Sequence, residues 1–180
     1  CVESGTDYCD LTGEVQWMNR IIKNYEEKAK QTGARIVHTC GFDSIPSDLG
    51  TYFVQEEMMK QQHVYAKKVT ARMGRSSGSA SGGTIASLLN VLDEAKKDPS
   101  IRRVMGDPYS LCPPTSIHGK DGPDQSTFKY DSTFSQWTSP FIMAAINGRV
   151  VRRSNALLKY RWGEDFQYDE AQLCKSLIKA

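Results

Sequence analysis

The thirteen residues His38-Thr-Cys-Gly-Phe-Asp-Ser-Ile-Pro-Ser-Asp-Leu-Gly50 decide how the chain is read. A β-branched run, Ala34 to Cys40, is apolar on both faces and suits a buried strand of a parallel sheet. Gly41 breaks it, Phe42-Asp43-Ser44 follow, and Pro46 with Ser47 or Asp48 opens a helix predicted to reach about Gln62. Such a junction is either a plain strand-to-helix connection or a strand end built to hold a ligand. Working backwards, Val15, Met18, Ile22, Tyr25 and Ala29 repeat at helical spacing, with Gly33 as a stop. A short strand, Tyr8–Leu11, precedes that helix. The first forty residues therefore spell strand, helix, strand, a crossover that is nearly always right-handed and parallel.

Working forwards, Lys68–Met73 alternates as a half-buried strand. The Gly/Ser-rich stretch 74–84 is expected to be a flexible loop, and a helix follows to about Lys97 with Ile85, Leu88, Leu89 and Leu92 on one stripe. Residues 98–127 read as a long ordered loop and 128–134 as a strand. Ser139-Pro140 reads as the start of a helix to about Tyr160, with Met143, Ile146, Val150 and Leu157 inward.

The bulk numbers narrow the function classes. Hydrophobic residues make up 39% of 180, an adequate but not rich core. The net charge of +2, from 23 basic and 21 acidic residues, argues against a general nucleic-acid binder. No apolar run approaches the ~18–20 residues of a membrane span. The five cysteines, at 1, 9, 40, 112 and 174, are odd in number and widely spaced, so reduced and mostly buried thiols in a reducing intracellular compartment are expected. Three scattered histidines support no metal site. Beginning at Cys1 rather than Met, the chain reads as part of a longer protein.

Candidate chemistry sits on two segments. If the two strands are parallel, Asp10-Leu11-Thr12-Gly13-Glu14 and Gly41-Phe42-Asp43-Ser44 share the rim beyond their carboxyl ends, where open α/β sheets bind ligands. Glycine there allows close backbone approach, and helix starts there favour anions. Equally, Asp10 could cap a helix and Asp43 close an Asx-turn. Gly82, Gly83 and Thr84 end a strand–loop–helix passage that could cradle an anion or merely connect; the stretch is neither a P-loop nor G-x-G-x-x-G. Arg149, Arg152 and Arg153 share a helical face that could hold a phosphate or carboxylate or carry solvated ion pairs. No Ser-His-Asp trio or H-E-x-x-H is present.

Five blocks in order (SGTDYCDLTGE, TGARIVHTCGFDSIPSDLG, SGGTIAS, DPYSLCPP and WTSPFIMAAINGRVVRRSNALLKY) closely resemble the saccharopine dehydrogenase-like oxidoreductases, most strongly their trans-acting enoyl reductase branch. The resemblance implies an α/β architecture: residues 1–46 as the end of a Rossmann-like NAD(P)-binding sheet, and 47–180 as part of a second α/β (α+β) domain for substrate or dimerisation. It implies NAD(P) as cofactor, NADP ahead of NAD, held near Asp10, Thr12, Gly13, Glu14, Gly41, Phe42 and Ser44. Asp43 and Tyr109 are the catalytic candidates, and Gly82, Gly83, Thr84, Arg152 and Arg153 would face a small-molecule or lipid-like substrate. A homodimer or a larger assembly is the expected partner context. The glycine-rich dinucleotide fingerprint and the ribose selector are not among these 180 residues, so the chain alone is expected to bind NAD(P) weakly or not at all. The chemistry implied is reduction of an enoyl- or imine-type bond. The alternative is a non-catalytic structural or lipid-associated subunit that keeps the fold.

Overall fold

A computed structural model of the chain describes residues 1–74 and 82–174. It is an α/β structure with two sheets. A 3-10 turn over Val2–Ser4 leads into β1 (Tyr8–Cys9), α1 (Val15–Thr32) and β2 (Ile36–Val37). These are followed by α2 (Ile45–Gln62), β3 (Lys68–Met73), α3 (Gly82–Lys97), α4 (Pro99–Gly106), β4 (Lys129–Asp131), β5 (Gln136–Ser139), α5 (Ala144–Leu157) and β6 (Gln167–Cys174). β1 and β2 pair in parallel, with Tyr8 opposite Ile36 and Cys9 opposite Val37. The second sheet has the order β3-β6-β5-β4; β3 and β6 are parallel and the other two pairs antiparallel.

Local chemistry sets most boundaries. Gly33 ends α1 in the left-handed region at φ 75, which a glycine enters without steric cost. Pro46 sits in the first turn of α2, where its missing N–H is no loss. Asp98 caps α4 by accepting the Ser100 amide at 2.7 Å, and Pro99 follows in the first turn. That helix occupies part of the stretch expected to be loop. The helix expected from Ser139-Pro140 begins instead at Ala144, because Ser139 closes β5 and pairs with Gln172.

α5 organises the interior. One side carries Val151, which packs with Trp162, Phe166 and Tyr168 against Val69 and Ala71 of the mixed sheet. The other carries Ile146 and Val150, which meet Val15, Met18 and Ile22 of α1 and Leu111. At about 25 cal/mol per Å2, burying such side chains stabilises the fold by roughly 1.5–3 kcal/mol each. Gln55, fully buried on α2, closes the turn into β3: its amide donates to the Ala66 carbonyl and accepts the Ala66 N–H, both at 2.8 Å.

The thiols correct an expectation. Cys1, Cys9 and Cys40 are exposed, Cys112 is half-buried and only Cys174 is buried. The first three lie at the amino-terminal segment and the strand ends, outside both hydrophobic clusters. Among the described residues no group of His, Cys, Asp or Glu could hold a metal ion, and no helix is long and apolar enough to cross a membrane.

Candidate functional site: the shared rim of two parallel strands

Beyond their two paired residues, β1 and β2 stay bonded. The Asp10 N–H donates to the Val37 carbonyl at 3.2 Å, and the Cys40 N–H donates to the Asp10 carbonyl at 2.7 Å. Both carboxyl ends therefore open on one rim. The Asp10 side chain ties them together. Its Oδ1 accepts the amides of Thr12 at 3.0 Å and Thr39 at 3.1 Å, and its Oδ2 lies 2.6 Å from His38 Nδ1. It thus bridges two strands rather than capping a helix. Burial alone would push the Asp10 carboxyl up, but the hydrogen bonds from His38, Thr12 and Thr39 outweigh it and hold it below its ordinary 3.8.

Thr39 is the strained residue of the rim. It is buried, β-branched and left-handed at φ 57, a conformation that costs on the order of 1–3 kcal/mol and persists only when the surroundings enforce it. The enforcement is visible: its amide is held by Asp10, and its Oγ1 donates to the His38 carbonyl at 2.7 Å. This kink takes His38 out of the strand that was expected to contain it. The imidazole, with a side chain 10% exposed, stands edge-on to Trp17 at 5.2 Å and Tyr8 at 6.2 Å. Its Nε2 is buried without a hydrogen-bond partner.

Three helices begin at this rim. A Cβ on Gly13, just before α1, would stand 3.0 Å from Ile146 Cδ1 of α5. Ser44, just before α2, donates from Oγ to Asn147 Oδ1 at 2.8 Å. Further along, Glu26 of α1 pairs with Arg153 of α5 at 3.6 Å, so α1 and α5 run the same way. Their positive dipole ends converge on the strand ends. A groove of about 720 Å3 leads away from the rim. Its walls are His38, Thr39 and Cys40 at the strand end and Met18, Ile22 and Leu49 among the apolar side chains.

The other expected site residues divide by how the protein uses them. Gly41 is needed for packing, since a Cβ there would lie 3.0 Å from Leu11 Cβ. Thr12 Oγ1 accepts the Glu14 N–H at 3.2 Å. Phe42, 83% exposed, and Asp43 face outward. Gly82 and Gly83 start α3 and are exposed; Thr84 lies in its first turn, and residues 75–81 of the Gly/Ser loop fall outside the described residues.

Tyr109 belongs to a different cluster. Its hydroxyl donates to Asp121 Oδ2 at 2.9 Å, and its ring stacks on His118 at 4.6 Å. Burial, reinforced by the Asp121 carboxylate, pushes it up to about 12. Arg152 is 2.9 Å from the same Asp121, with side chains 4% and 3% exposed. Arg149 donates to the carbonyls of Met105 and Asp107, and Arg153 to that of Leu111. The three arginines staple residues 105–124 onto α5, rather than forming a solvated face; Arg153 also lines the groove at the rim and Arg152 the polar cleft over the mixed sheet. Tyr109 and the rim are served by different turns of α5, about 8 Å apart along its axis from the helical rise.

Sequence reasoning missed several groups. Asn147 and Glu170 form a buried chain with α2: Asn147 Nδ2 donates to Ser47 Oγ at 3.1 Å, and Ser47 Oγ donates to Glu170 Oε1 at 2.9 Å. Burial pushes the Glu170 carboxyl up. A polar cleft of about 420 Å3, bordered by Arg72, Asp131, Asp169 and Glu170, lies over the mixed sheet.

Over 186 residues, all of this chain, it is 41% identical to a provisionally named trans-acting enoyl reductase of Mycobacterium tuberculosis. It is 36% identical over 178 residues to a trans-acting enoyl reductase of Mycobacterium ulcerans, and 34% over 187 to one of Mycobacterium bovis. The chain spans 44% of the first relative and 42% of the other two. No family model and no solved structure matches. The chain is homologous to trans-acting enoyl reductases along its whole length.

Proposed function

We propose that the chain forms the strand-end rim and part of the substrate side of an NAD(P)-dependent reductase that saturates a carbon–carbon double bond conjugated to a thioester, on a lipid-like acyl substrate. In this reading the β1–β2 pair is the end of a Rossmann-like sheet. The observation that carries it is the convergence of Asp10, Thr39 and Gly41 at the carboxyl ends of two parallel strands, the place where such sheets bind ligands.

The residues present fit one edge of a nucleotide site: strained backbone and helix starts meet there beside a buried imidazole. They include no glycine-rich phosphate cradle, so no pyrophosphate contact is assigned to this chain. When bound, a reduced nicotinamide supplies the hydride. The chain's own residues hold the rim. Asp10 locks the two strand ends and fixes His38, Asn147 anchors Ser44 at the start of α2, and the apolar groove excludes water beside the strand end. Asp43 is exposed at the turn and open to a bound molecule.

The test is consumption of NADPH by the protein with a 2-enoyl thioester, with mass spectrometry of the product. A product two mass units heavier supports the reading, whereas no turnover with either nucleotide contradicts it. One observation favours a non-catalytic subunit: Asp10, Gly13, Gly41 and Ser44 are all engaged inside the protein. That reading predicts binding of acyl ligands with no nucleotide oxidation.

A further inference from the structure

We propose that the groove leading away from the rim holds the alkyl tail of the acyl substrate, with the thioester at the strand ends; this rests on the reductase reading above. Three elements agree on the groove's axis. α1 starts at the rim and lines the groove along one stripe, Met18, Ile22, Tyr25 and Ala29. α5 also starts at the rim, where Ile146 stands against Gly13, and lines the groove from Val150 to Leu157. β2 runs towards the rim, so Gly33 and Ala34 lie at the far end and Thr39 and Cys40 at the near one. From Met18 to Ala29, α1 rises about 16 Å, the length of an extended alkyl chain of about a dozen carbons.

The walls suit an uncharged, apolar occupant. Their charged side chains are already matched to other groups of the protein. Glu26 pairs with Arg153 at 3.6 Å and with Lys30 at 3.9 Å. Asp48 is hydrogen-bonded to Ser154, and burial pushes its carboxyl up, towards the neutral form. The volume of about 720 Å3 is that of a small-molecule site. The groove is continuous with the rim, where the proposed reaction takes place. A double bond conjugated to a thioester puts both reacting carbons beside that thioester, so the tail is the part of the acyl group that extends past the rim. Ala29 and Leu157 then set the longest chain that gains from burial, since exposed Lys30 marks where the groove gives out onto water.

The experiment is calorimetric titration of the intact protein with saturated octanoyl, decanoyl, dodecanoyl and hexadecanoyl thioesters of coenzyme A, without nucleotide. Affinity should rise about two- to four-fold per methylene up to dodecanoyl, and hexadecanoyl should bind no more than about two-fold tighter than dodecanoyl. Ala29→Phe fills the far end and should weaken dodecanoyl about ten-fold or more while leaving octanoyl within about two-fold. Leu157→Asp, at an exposed position of the same end, should do the same even if Ala29→Phe does not fold. A flat chain-length profile means that another part of the protein or a second copy fills the groove, and overturns the proposal. Variants that weaken octanoyl as much as dodecanoyl, or neither, also overturn it. Turnover of 2-enoyl thioesters with a flat profile would still support the reductase reading, and the expected profile without turnover would keep the tail site and remove the reductase.

Discussion

Removing either partner of the Arg152–Asp121 pair should destabilise the fold, and the two losses should be unequal. The guanidinium and carboxylate are 2.9 Å apart, with 4% and 3% of their side chains exposed. Breaking such a pair from one side costs about 3–5 kcal/mol, because a charge is left buried and uncompensated. In Arg152→Met, Asp121 still accepts the Tyr109 hydroxyl and the Tyr168 amide, both at 2.9 Å, so the loss falls near 3 kcal/mol. In Asp121→Ala, Arg152 keeps the carbonyls of Pro108 at 3.4 Å and Tyr168 at 3.3 Å and the Tyr109 ring at 5.6 Å but no carboxylate partner among the described residues, so the loss approaches about 5 kcal/mol. The double variant should lose less than the sum, since one removal already forfeits the shared interaction. Urea unfolding followed by the fluorescence of Trp162, buried in the same core, measures all three. Losses below about 1 kcal/mol for both single variants would refute the staple and return Arg152 to the list of possible substrate ligands.

Three further outcomes are expected. Burial holds the Glu170 carboxyl above its ordinary 4.5, against the hydrogen bonds from Ser47 and Asn147, so the folded state binds that proton more tightly than the unfolded one. That contribution is complete below pH 4.5 and is lost as pH rises through the raised value, so Glu170→Gln should gain stability over wild type with rising pH; thermal melts showing a constant or shrinking difference would contradict this. Gln55→Leu leaves the Ala66 N–H and C=O unpaired and should cost about 1–3 kcal/mol by denaturant titration, with a loss near zero refuting the clasp. Gly41→Ala places a Cβ 3.0 Å from the Cβ of Leu11, which cannot rotate away, so hydrogen-exchange protection of the Cys40 amide should fall; unchanged protection would show that the strand ends do not depend on this contact.

The crossover was legible because its signals are local. The apolar spacing from Val15 to Ile22 and the Gly33 stop mark α1, and the Gly41–Pro46 break marks the start of α2. α4 carried a readable Asp98-Pro99 start that the surrounding prolines and glycines obscured. β6 was not legible: its alternation is broken by Glu170, a buried carboxyl that Ser47 and Asn147, on two other elements, reach with hydrogen bonds. The role of the arginines was equally hidden, since helical spacing gives a face but not what folds over it. At the rim, Asp10 and Gly41 were found from position alone. His38 and Thr39 were not, because the left-handed turn that makes them interesting is imposed by the Asp10 carboxylate from the neighbouring strand.

The most direct measurement is a crystal structure of the protein with NADPH and a 2-enoyl thioester bound. Ligand density at the carboxyl ends of β1 and β2, entering the groove beside them, is the predicted result. Density confined to the polar cleft over the mixed sheet would contradict it.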